Sequence, residues 1–103
     1  MNLVNEIGVP AMLEQCAEEC TELAQACLKL ARKIRNENPT PATKKELFDH
    51  LNEETSDTKV AIDALIKAGV ISRNEVQKYE SLKTLRWEKR MKEFKEKGEI
   101  ENE

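Results

Sequence analysis

Two pairs of carboxylates, Glu19 with Glu22 and Glu54 with Asp57, stand at i, i+3 spacing where apolar residues recur with a helical period. That spacing sets both acids of a pair on one side of a helix, within reach of a common ligand. Acids on a helical surface usually serve only solubility, so the face they occupy decides their meaning. At about 100° per residue, Glu54 falls inside the sector spanned by Leu47, Leu51, Thr58, Ala61 and Leu65, and so points at the core. Asp57 lies at the edge of that sector, one turn on. A carboxylate in an apolar setting is costly unless a cation or a proton neutralises it. Glu19 flanks the apolar residues Cys16, Cys20 and Leu23, and Glu22 stands one turn along the same edge. On packed neighbouring helices the two pairs converge on one point. Such an all-oxygen donor set suits Mg²⁺ or Mn²⁺ and is poor for zinc.

Three helices are expected to position these acids. The first runs from about Pro10 to Asn36, with an apolar seam of Leu13, Cys16, Cys20, Leu23, Cys27, Leu30 and Ile34 at spacings of three and four. Pro10 suits a first helical turn, and Asn36-Glu-Asn-Pro-Thr-Pro41 ends the helix in a loop. Thr43 and Glu46 form a capping box for the second helix, whose apolar face is Leu47, Leu51, Ala61, Ile62 and Leu65 and which Gly69 stops. The third starts at Ser72, boxed by Glu75, and continues through Val76, Tyr79, Leu82, Leu85, Trp87, Met91 and Phe94. Beyond Lys95 the apolar periodicity ends. The expectation is a single helical domain over 1–95 and a frayed acidic tail over 96–103. Ala17, Ala24, Leu28 and Ala31 lie beside the first seam, and Leu82 and Leu85 lie off the third. This surplus predicts an all-α, three-helix protomer that packs into a helical bundle completed by a second subunit.

Composition narrows the function classes. With 39% hydrophobic and 36% charged residues in 103, the chain is too apolar for a disordered tail and large enough for one domain. Lys and Arg number 17 against 20 acids, for a net charge of -3, which argues against a nucleic-acid partner. No apolar run approaches the roughly 20 residues that span a bilayer. The start Met1-Asn-Leu-Val-Asn-Glu6 has neither the basic nor the apolar part of an export signal, so a cytoplasmic location is expected. Cys16, Cys20 and Cys27 form no CxxC pair and are read as small hydrophobes on a packed face.

Glu18-Glu19-Cys-Thr-Glu22-Leu23, followed by Glu53-Glu54-Thr-Ser-Asp57, resembles the EExxE…EExxD signature of MazG-like proteins, the all-α nucleoside triphosphate pyrophosphohydrolases. The resemblance covers about residues 10 to 66. It implies Mg²⁺, or Mn²⁺, held by Glu19, Glu22, Glu54 and Asp57, and cleavage of an NTP or dNTP between the α- and β-phosphates to a monophosphate and pyrophosphate. It also implies a homodimer or homotetramer. Glu18 and Glu53 are then the neighbouring carboxylates available to take a proton from the attacking water. Lys83, Arg86 and Arg90 share one side of the third helix with Tyr79 and Trp87 and are candidate phosphate contacts. Trp87 suits either stacking on a base or a place in the core. His50, one turn before Glu54, belongs either to the rim of the site or to the plain surface. The competing readings are a catalytically idle relative that binds nucleotide or metal, and a helical interaction module whose acids serve solubility.

Overall fold

The computed structural model of the chain describes residues 1–37 and 39–101. These form four helices, α1 (Leu3–Ile7), α2 (Val9–Arg35), α3 (Lys44–Lys67) and α4 (Arg73–Glu101), and no strand is found among the described residues. The chain divides into two compact units, Met1–Ile71 and Ser72–Glu103. No helix among the described residues is long and apolar enough to cross a membrane.

In the first unit α2 and α3 form an antiparallel hairpin. Met12, near the start of α2, shares a buried cluster with Ala61 and Leu65, near the end of α3. The ends of both helices are locally encoded. Thr43 and Glu46 make the expected capping box at the start of α3. α2 ends at Asn36, whose φ of 58° is left-handed, with Glu37 N–H donating to the Arg32 carbonyl. α3 ends the same way at Gly69, φ 78°, where Val70 and Gly69 donate to the carbonyls of Leu65 and Ile66.

The short α1 lies outside the three-helix expectation. Asn2 caps it, its Oδ1 accepting from the amides of Val4 (3.1 Å) and Asn5 (3.3 Å). Gly8, at φ 90°, ends it and turns the chain into α2, with Pro10 in the first turn. Val4 is buried with Met12, Ala61 and Leu65, so α1 closes the open end of the hairpin.

The buried face of α2 also differs from the expected seam. Met12, Ala26 and Leu30 are buried and Cys16, Glu19, Leu23 and Lys33 half-buried, whereas Leu13, Cys20, Cys27 and Ile34 are exposed. The two stripes share Cys16, Leu23 and Leu30 and diverge elsewhere. Two polar residues, Glu19 and Lys33, sit in the true stripe and dilute its apolar signal. The matching stripe of α3 is Leu47, Leu51, Glu54, Thr58, Ala61 and Leu65, buried throughout except for half-buried Leu51. Both stripes alternate steps of three and four, the pattern by which paired helices interdigitate.

The second unit is built on α4. Ser72 Oγ accepts from the Glu75 amide at its start, which is one half of the expected capping box. The helix runs past Lys95 to Glu101, through a Glu- and Lys-rich segment of high helix propensity that requires no apolar period. Of the tail expected over 96–103, Asn102 and Glu103 lie outside the described residues. Along α4, Val76, Tyr79, Leu82, Leu85, Trp87, Met91 and Phe94 are all exposed.

Candidate metal centre

The acids that the hairpin brings together are Glu19 and Glu22 from α2 and Glu54 from α3. One carboxylate oxygen of each lies within 4.8 Å of the others. Glu54 is buried at 8% exposure, as its place in the apolar sector of α3 predicts. Glu19 is half-buried and Glu22 exposed, so the cluster opens towards solvent on the Glu22 side. Two buried oxygens, Glu19 Oε2 and Glu54 Oε2, have no hydrogen-bond partner among the described residues. Orphaned buried acceptors are uncommon in folded proteins, and each calls for a ligand, a water or a proton.

The neighbours of the cluster orient and tune it. Gln15, one turn before Glu19, donates from Nε2 to Glu19 Oε1 at 2.8 Å. That bond occupies one oxygen of Glu19 and leaves the other directed into the buried space. His50 is half-buried, with Nδ1 3.8 Å from Glu54 Oε1, so it belongs to the rim of the site. Burial pushes the Glu54 carboxyl above its ordinary 4.5, and the nearby Glu22 carboxyl adds to the shift. Asp57 raises Glu54 further and His50 opposes the rise. Desolvation and like charge thus act together on one acid.

Asp57 takes a different place from the other three. It is exposed and, with Glu19, borders a cleft of about 370 Å³ lined further by Leu3, Ile7, Met12 and Val60. The cleft is predominantly apolar, and one wall comes from α1. Glu18 and Glu53, the expected proton acceptors, are exposed, in keeping with positions away from the apolar stripes. Lys83, Arg86, Trp87 and Arg90 are exposed on α4 and belong to the second unit, whereas every acid of the cluster belongs to the first.

No family model, curated protein or solved structure matches the chain. The chemistry of the site therefore rests on its own donors. These are carboxylate oxygens, two of them buried and unpartnered, which fit a hard divalent cation of the Mg²⁺ or Mn²⁺ type. Burial, with the adjacent Cys20 thiol, raises the Cys16 pKa and favours its thiol form.

Gln15, Thr58 and the α1 wall escape a reading of acid spacing alone. Gln15 had a signal, its i, i+4 relation to Glu19. Asn2 before Leu3, Val4 and Ile7, with Gly8 after, marks a short capped helix. Thr58 is an ordinary threonine in sequence, and only the pairing of the helices gives it a partner on α2.

Proposed function

We propose that the chain is a Mg²⁺-dependent nucleoside triphosphate pyrophosphohydrolase of the MazG-like type, cleaving an NTP or dNTP between the α- and β-phosphates. The observation that carries this reading is the convergence of Glu19 and Glu54, from two different helices, with their inner oxygens buried and unpartnered beside Glu22. Acids retained only for solubility have no reason to face one another inside a helix pair, where their repulsion and desolvation both destabilise the fold.

Glu19, Glu22 and Glu54 would hold the cation, with Asp57 as the fourth carboxylate at the cleft edge. Bound Mg²⁺ supplies neutralisation of phosphate charge and acidification of water. The protein's own part is to orient and to move protons. Gln15 fixes the Glu19 carboxylate, and the apolar cleft beside Glu19 and Asp57 receives the nucleoside end of the substrate. A carboxylate outside the cluster takes the proton of the attacking water. Glu18 and Glu53, exposed neighbours of the ligand residues, are the candidates for that role. Lys83, Arg86 and Arg90, with Trp87, are assigned to the phosphates and base in an assembled homodimer or homotetramer. The cytoplasm is the proposed location.

A nucleotide panel with Mg²⁺, scored for pyrophosphate release, tests the reading. Release from at least one NTP or dNTP, lost on omission of the cation, is expected. Stabilisation by Mg²⁺ without release would leave a catalytically idle metal-binding relative as the correct description.

A further inference from the structure

Among the described residues, four hydroxyls bond back to a carbonyl four residues earlier. Thr21 reaches Ala17, Thr55 reaches Leu51, Ser81 reaches Gln77 and Thr58 reaches Glu54. Three of the four are exposed and stay within their own helix. Thr58 differs in both respects. It is buried at 7% exposure, and its Oγ1 lies 2.9 Å from the Glu54 carbonyl oxygen and 3.2 Å from the Glu19 carbonyl oxygen on α2. One hydroxyl proton is therefore shared between the backbones of the two residues whose side chains carry the orphaned oxygens. A back-bond alone is a local habit of threonine in helices. A cross-helix bond at the level of the acids is not.

We propose that Thr58 is a positioning residue for the metal centre, its hydroxyl fixing the separation and register of the Glu19 and Glu54 turns. The proposal rests on the reading of the acids as cation ligands. Because those ligands come from two helices, the geometry offered to an ion is the geometry of the helix pair at this level. Mg²⁺ and Mn²⁺ take oxygens at closely defined distances, and Mg²⁺ tolerates little departure from octahedral order. Repulsion between the carboxylates pushes the helices apart at the same point. A bond that joins both backbones opposes that push in the metal-free protein and keeps the donors near their bound spacing. Outer groups of this kind, which touch a ligand residue and not the ion, typically change metal affinity by about 10–100-fold when removed.

Mn²⁺ titration followed by electron paramagnetic resonance, with the full chain and at a temperature where circular dichroism shows every variant folded, tests the assignment. Thr58→Val keeps the shape and removes the hydroxyl. Thr58→Ser keeps the hydroxyl, and Thr58→Ala serves as its hydroxyl-free counterpart should the valine variant not fold. Thr55→Val removes an exposed back-bond one turn away and is the control. The expected result is Mn²⁺ binding weakened at least about 10-fold in Thr58→Val and Thr58→Ala, with Thr58→Ser and Thr55→Val close to wild type. Folded Thr58→Val or Thr58→Ala that binds Mn²⁺ as tightly as wild type overturns the proposal, whatever its melting temperature. A wild-type protein that takes up no Mn²⁺ overturns the metal reading itself, an outcome distinct from the loss of Thr58's role alone.

Discussion

Glu54 is held among apolar neighbours with one oxygen unpartnered, and its environment favours the protonated form. The consequence for stability follows from linkage. A carboxyl whose folded pKa lies above its unfolded value binds more protons when folded, so in the metal-free protein its penalty grows as pH rises through the folded value. Acidification from pH 7.5 towards the ordinary carboxyl value of 4.5 should therefore relieve the wild type. Glu54→Gln has no such group, keeps the shape and loses one repulsive charge. It should be at least as stable as wild type at pH 7.5 without metal, show a weaker rise on acidification, and gain little from Mg²⁺. Melting curves of both proteins across that range, with and without Mg²⁺, check this. A metal-free Glu54→Gln several degrees less stable than wild type would make Glu54 a structural hydrogen-bonding residue and remove it from the site. The burial of Glu54 was legible because its apolar neighbours on α3 mark the core sector unambiguously. The inward position of Glu19 was less so, because Leu13, Cys20, Cys27 and Ile34 offer a rival stripe that shares three residues with the true one.

The α2–α3 hairpin is the element that makes a site of these acids, and its stability is supplied at its ends. The cluster of Val4, Met12, Ala61 and Leu65 lies at the end opposite the connecting loop, and Leu65 is the largest of the fully buried side chains at 1% exposure. Leu65→Ala removes its packing and leaves a cavity, a change that costs about 2–5 kcal/mol in comparable cores. In a helical unit this small that is a large share of the total stability. Denaturant unfolding of the two proteins should show the loss as a lower midpoint with an unchanged slope. A loss below about 1 kcal/mol would mean that the α1 end does not carry the hairpin, since even modest core truncations usually exceed it. Caps and helix ends were readable because Thr43, Glu46 and Gly69 act through their own local backbone. α1 was missed because five residues give too short a period to register, and its value comes from Val4 meeting Met12 and Leu65.

At the scale of the molecule, much apolar surface stays exposed. On α2, Leu13, Cys20, Cys27 and Ile34 form a second stripe in solvent, and α4 exposes Tyr79, Trp87 and Phe94 among others. Exposed apolar residues that recur along one face of a helix mark an interaction surface, and a long helix needs packing beyond its own propensity. The expected state in solution is a homodimer or homotetramer, so light scattering at micromolar concentration should give a mass at least twice the 11.8 kDa of one chain. A monomer mass would leave Lys83, Arg86, Arg90 and Trp87 without the assembly through which their assigned role operates. Cation-dependent chemistry at Glu19, Glu22 and Glu54 is the central proposal, and the bond broken reports on it most directly. ³¹P nuclear magnetic resonance of a nucleoside triphosphate incubated with the protein and Mg²⁺ should show the monophosphate and pyrophosphate growing together with wild type and neither with Glu54→Gln. Diphosphate and orthophosphate as products, or equal turnover by Glu54→Gln, would contradict it.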